Sequence, residues 1–167
     1  MKRRKIITAT LLIAALLFTL SAAVAEEDKT SWLFVQTATE FTSDGDTLAI
    51  PYEREVFAFT DRPNRKHAYL NATELTSFWN TGEGDFGDNP PNAVLTWVED
   101  GEIREAEVML SAAMVGDQGR SIAYQLQFEA GHNLPDKAQQ VSLFIDGGTS
   151  EALEFICHIN DGEFCRR

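Results

Sequence analysis

The sequence predicts an all-β, mainly antiparallel domain: a β-sandwich or partly closed barrel of about seven to nine strands with one short helix. Three observations carry this expectation. Short runs rich in β-branched and aromatic residues recur along the chain. Gly, Pro, Asn and Asp separate them at close intervals. A single segment combines helical spacing of apolar residues with a capping signature.

The chain begins with basic Met1-Lys2-Arg3-Arg4-Lys5, runs without a charge from Ile6 to Leu20, and continues Ser21-Ala22-Ala23-Val24-Ala25 into acidic Glu26-Glu27-Asp28. A basic start, an apolar middle and an A-x-A site describe a bacterial-type signal peptide, residues 1–25, with cleavage after Ala25. The alternative is an uncleaved anchor, for which the apolar run barely reaches the ~20 residues of a membrane span. The residue directly after the cleavage point is Glu26 and not a cysteine, so a lipoprotein route is excluded. Residues 26–167 then form one β-rich domain, expected in the periplasm or secreted medium without membrane insertion.

Within that domain Trp32 to Thr37 reads as the first strand. Ser43-Asp44-Gly45-Asp46 reads as a tight turn, with Asp44-Gly45 as its loop residues, joining a strand through Phe41 to one through Leu48 and Ile50. Arg54 to Thr60 is apolar on both faces at Val56, Phe57, Ala58 and Phe59, which predicts a strand covered on both sides in the middle of the fold. The helix follows: Asn71 caps it and Glu74 completes a capping box. Ala72, Leu75, Phe78 and Trp79 share one face before Gly82 ends it.

Asp100-Gly101 then separates Ala93–Val98 from Ile103–Leu110, the clearest hairpin signal in the chain. With those two residues as the loop, Ala93 opposes Val108, Leu95 opposes Ala106 and Trp97 opposes Arg104. Ser121 to Glu129 alternates, with Ile122, Tyr124, Leu126 and Phe128 on one side, as a half-buried antiparallel strand does. Val141–Ile145 and Leu153–Ile159 complete the set. Cys157 and Cys165 flank a turn signature at Asn160-Asp161-Gly162 that sets them opposite one another, so a structural disulfide hairpin is expected. A redox or metal role would want a C-x-x-C spacing or nearby histidines.

Charge narrows the partners. The full chain carries 14 basic and 26 acidic residues, a net −12. Removing the leader takes four of the basic residues and no acidic one before Glu26, leaving 10 against 26, or −16. Such a surface repels phosphate backbones and anionic lipid, which argues against nucleic acid and membrane surfaces as partners. A small ligand or a protein remains open.

No catalytic signature is present: no G-x-S-x-G, H-E-x-x-H, phosphate-binding loop or dinucleotide fingerprint. Three weaker candidates remain. The segment after the Arg54–Thr60 strand gathers Asp61, Arg62, Arg65, Lys66 and His67 in an otherwise acidic chain, at a strand end where scaffolds present binding residues. Its arginines would either clamp an anionic ligand or satisfy internal carboxylates such as Asp61 or Asp146. The loop Gly82 to Asn89 brings Glu83, Asp85 and Asp88 together as a calcium site would, without EF-hand spacing. The alternative is an ordinary solvated loop. His67, His132 and His158 lie on separate segments, and a metal-dependent hydrolase would need them to converge with Asp61 or Asp146.

The motifs Phe59-Thr60-Asp61-Arg62-Pro63-Asn64-Arg65, Phe78-Trp79, Pro90-Pro91-Asn92-Ala93-Val94-Leu95 and Leu143-Phe144-Ile145-Asp146 resemble a family of small exported bacterial proteins of uncharacterised function. The pattern F-x-D-R-P-x-R … P-P-N-A-x-L … L-F-I-D spans roughly residues 54–146, most of the chain after the leader. The resemblance implies a common fold and export, and no catalytic residue. The function expected from sequence is therefore a non-enzymatic exported β-sandwich binding protein, with the Asp61–His67 loop as its contact surface and no required cofactor. The alternatives are a metal-dependent enzyme built from scattered His and Asp, and a calcium-stabilised structural protein.

Overall fold

The computed structural model describes residues 31–62, 65–80, 86–128 and 133–148, together with the backbone of Cys165–Arg166. The leader, Glu83, Asp85, His132, the Leu153–Ile159 segment, Cys157 and His158 lie outside the described residues. So does the expected disulfide.

The described chain is mainly antiparallel β with one α-helix. Its strands are β1 (Trp32–Asp44), β2 (Thr47–Pro51), β3 (Val56–Thr60), β4 (His67–Leu70), β5 (Asn92–Glu99), β6 (Glu102–Gly116), β7 (Ser121–Phe128), β8 (Lys137–Gly148) and the two-residue β9 (Cys165–Arg166). Helix α1 (Ala72–Asn80) falls between β4 and β5. The strands follow the order β2-β7-β6-β5-β8-β1-β3-β4-β9, and a further pairing of β2 with β1 closes the first six into a barrel. Of the two architectures the sequence allows, this is the barrel; closure leaves those six strands without an unpaired edge at the seam.

β1 makes the closure possible because its thirteen residues serve three neighbours. One edge pairs with β8 from Trp32 to Thr42. The other edge forks: Trp32–Val35 pair with β3 and Thr42–Asp44 with β2. Between the two branches the Glu53 carboxylate accepts the Thr39 backbone N–H at 3.2 Å as well as the Thr39 hydroxyl, strapping the β2–β3 connection to β1. Those two hydrogen bonds hold the Glu53 carboxyl below its usual range. The sequence suggested two runs, Trp32–Thr37 and one through Phe41; the structure makes them one strand.

Two turns test the hairpin reading. Asp100 and Gly101 have φ of 53° and 79°, the doubly left-handed form of a type I′ loop, and the register Ala93↔Val108, Leu95↔Ala106, Trp97↔Arg104 is the one expected. At the first hairpin the loop is displaced by one residue from the expected Asp44-Gly45. Asp44 pairs with Thr47, so Gly45-Asp46 form the loop. Gly45 has φ +60° in the first loop position, where a type II′ turn requires glycine.

The interior is filled by alternate side chains of every stave, among them Phe34 and Phe41 on β1, Leu48 and Ile50 on β2, and Leu143 and Ile145 on β8. Helix α1 starts with the expected capping box: the Glu74 N–H donates to Asn71 Oδ1 at 2.9 Å, and the Asn71 N–H to Glu74 Oε2 at 2.8 Å. Nine residues are too few to be stable alone, so the helix depends on docking. Phe78 lies 5.6 Å from Phe34, Trp79 lies 4.7 Å from Phe86, and the Trp79 indole donates to the Leu110 carbonyl at 2.9 Å. That carbonyl borders the irregularity in β6 pairing between Leu110 and Ala112. Deeper in the barrel the Tyr124 hydroxyl donates to Gln36 Oε1 at 2.6 Å, and burial pushes the phenol pKa well up.

One expectation is overturned. β3 is not a central strand covered on both faces. It lies outside the barrel, between β1 and β4, and only Val56, Ala58 and Thr60 are buried while Phe57 and Phe59 are partly open to solvent.

Candidate functional site

The Asp61–His67 loop is the turn of the β3–β4 hairpin, and its own backbone organises it. The Thr60 N–H donates to Lys66 O at 3.0 Å and the Lys66 N–H to Thr60 Oγ1 at 2.8 Å. Inside this clasp the Arg65 N–H reaches Asp61 O at 3.2 Å, with Arg65 at φ 49°. The Asp61 carboxylate accepts the Arg62 N–H at 2.6 Å. Asp61 therefore serves the loop backbone and not a guanidinium. Arg62 and Arg65 are exposed, and neither has an ion pair among the described residues, which removes the expectation that they satisfy Asp61 or Asp146.

Of the other acidic-loop and histidine candidates, only Asp88 and His67 belong to the described residues. Asp88 is exposed. Among the described residues no group of three His, Cys, Asp or Glu side chains is placed to hold a metal ion. His67 opens β4 opposite Phe59, with its ring 6.3 Å from that of Phe57.

What the structure assembles beside this loop is a surface absent from the sequence candidates. Direct partners in an antiparallel sheet point to the same face. Tyr69 on β4 opposes Phe57 on β3, Phe57 opposes Val35 on β1, Val35 opposes Phe144 on β8, and Phe144 opposes Val94 on β5. One apolar row thus crosses five strands, about 19 Å from Tyr69 to Val94 at ~4.8 Å per strand. It lies on the outside, because the residues alternating with it, such as Phe34, Ala58 and Ile145, are buried inside. Phe59 and Leu33, paired with each other, begin a second row alongside the first.

The rings are in contact. Phe57 stacks on Phe59 with centroids 5.5 Å apart and planes 21° from parallel, and Tyr69 lies 5.3 Å from Phe57. Tyr69 remains 47% and Phe144 44% exposed, so this face is wet, not an inner layer. Contiguous outward apolar area of this kind marks an interaction surface more often than a monomer's ordinary exterior.

Toward β6 the face deepens into a cleft of about 540 Å³. Leu33, Val94, Met109, Phe128 and Phe144 supply its apolar walls, and Glu107 and Asp146 its carboxylates. Its volume falls within the range of small-molecule and anchor-residue pockets. Neither carboxylate has an ion-pair partner among the described residues. Asp146 is set on this rim by an irregularity: Trp32 pairs with Gly148 and Leu33 with Asp146, leaving Gly147 as an extra residue at φ +78°. The whole face is therefore electrically uneven, with arginines at the β3–β4 end and carboxylates at the β8–β6 end.

The sequence contained a signal for it. Leu33, Val35, Phe57, Phe59, Val94 and Phe144 all break polar alternation in their strands. Such a break reads equally as burial on two faces or as an apolar outer face, and only the sheet order separates these. When compared with known proteins, the chain matches no family model, no curated protein and no solved structure.

Proposed function

We propose that the chain is an exported, non-enzymatic binding protein of the periplasm or the surrounding medium that docks a partner on the outer face of β4, β3, β1, β8 and β5. The observation that supports this reading most is the in-register row Tyr69–Phe57–Val35–Phe144–Val94, apolar on the side of the sheet that faces water. The row gives a partner apolar area to bury, and the Asp61–His67 loop beside it adds charge at one end. Stacked rings suit docking because they bring large area at little cost in side-chain freedom.

In-cell photocrosslinking tests the reading. A benzophenone amino acid is placed at Tyr69 or Phe144, and as a control at Met114, which is 59% exposed on the opposite wall of the barrel. Adducts formed from the two face positions and not from Met114 are expected. Equal adduct yields at all three would reject the docking face.

A further inference from the structure

We propose that the occupant of this face is the same face of a second copy of the chain, related by a two-fold axis that lies in the plane of contact over Val35, parallel to the strands. The proposal rests on the docking-face reading above and names its partner. Its argument is self-complementarity. A two-fold contact pairs each patch with itself in reversed order, so a surface can meet itself only if its two ends attract.

Here they do. The β3–β4 end carries Arg62 and Arg65, exposed and without ion pairs among the described residues. The other end carries Glu107 and Asp146 on the rim of the cleft, likewise without ion pairs. Reversal about the middle of the apolar row lays the arginine end of each copy over the carboxylate end of its mate and puts apolar row on apolar row. The cleft offers each mate a recess for a side chain from its β3–β4 end. A chain of net charge −12 meets another copy against overall repulsion, so a local basic patch is what such a contact would need. One charged junction, made twice by the symmetry, also fixes the alignment, which an apolar row alone would leave free to slide.

Charge exchange tests this with the protein purified after export. Sedimentation velocity over rising concentration should show the mass doubling, and Phe144→Ser should abolish the doubling. One variant carries Arg62→Glu with Arg65→Glu and has two acidic ends; a second carries Glu107→Lys with Asp146→Lys and has two basic ends. Each alone should self-associate at least about tenfold more weakly, the size of a ~1.4 kcal/mol loss. Mixed in equal amounts they should form a heterodimer, since both junctions are then complementary, and that recovery also shows that both variants are folded.

Wild-type protein that stays monomeric to about 1 mM, the weak end of specific association, overturns the proposal. A mixture that does not pair, or a dimer indifferent to both exchanges, overturns it as well. If the purified protein is monomeric while Tyr69 and Phe144 crosslink to a different chain in cells, the docking face stands and its occupant is another protein. If neither happens, the docking face itself falls.

Discussion

Strands β7 and β3 have the same inward face and opposite outward ones. β7 buries Ile122, Tyr124 and Leu126 and turns Gln125 and Gln127 outward. β3 buries Val56 and Ala58 and turns Phe57 and Phe59 outward. Both inner faces are what a packed barrel and its flanking strands require. The barrel interior sets the inner faces alone, and the aromatic outer face of β3 is the feature that the proposed docking would use. Stability and docking are then separable by side of the sheet, and substitutions can pull them apart.

The largest effect should come from the inner side. Phe34→Ala opens a void between Phe78 and Phe86, 5.6 and 5.8 Å away, and should cost ~3–5 kcal/mol in denaturant unfolding. A loss no greater than that of an outward phenylalanine would erase the distinction between the two sides. Next, Tyr124→Phe leaves the Gln36 carbonyl oxygen without its donor in the barrel interior and should cost ~1–3 kcal/mol.

The same tyrosine gives a pH test. Burial raises its pKa in the folded chain, so the unfolded chain gives up that proton first. Its contribution is complete below the unfolded value of ~10 and declines as pH rises past it. Alkaline unfolding should therefore coincide with the appearance of one late phenolate absorbance, and that step should vanish in Tyr124→Phe. Asn71→Ala, which removes the cap that docks nothing by itself, should cost ~1 kcal/mol. The smallest effect belongs outside. Phe144→Gln gives β8 the kind of outer residue β7 already has, and its unfolding free energy should stay within ~0.5 kcal/mol of wild type. A loss of several kcal/mol would mean the outer row is structural, and the contrast between β7 and β3 would fail.

The sequence was most readable where one local rule decides the outcome. Asp100-Gly101 set a register that the sheet keeps, because few residues other than Gly, Asn and Asp accept two consecutive left-handed conformations. Asn71 and Glu74 marked the start of the helix for a similar reason: their side chains satisfy each other's backbone. Asp44-Gly45-Asp46 was ambiguous by one residue, since Asp-Gly and Gly-Asp both make good loops and only the pairing of Asp44 with Thr47 chooses. The outward aromatic face was illegible for a deeper reason. Phe57 and Phe59 have the composition of a buried strand, and whether water or protein lies over them depends on which strand is next in the sheet, a long-range fact. The arginine loop was legible as a charge anomaly, but its backbone clasp through Thr60 and Lys66 was not.

The pairing of β1 with β8 also governs how the chain can acquire its shape. Leu33 meets Asp146, so this pairing joins residues from nearly opposite ends of residues 31–148. Contacts of such long sequence separation form late and slow folding, because the loop they close must first be ordered. A nascent chain emerging amino-terminus first has β1 long before it has the strand that pairs with it from Trp32 to Thr42. Until residue 148 is free, the barrel cannot shut, and its aromatic interior stays exposed to any holdase or to other unfinished chains.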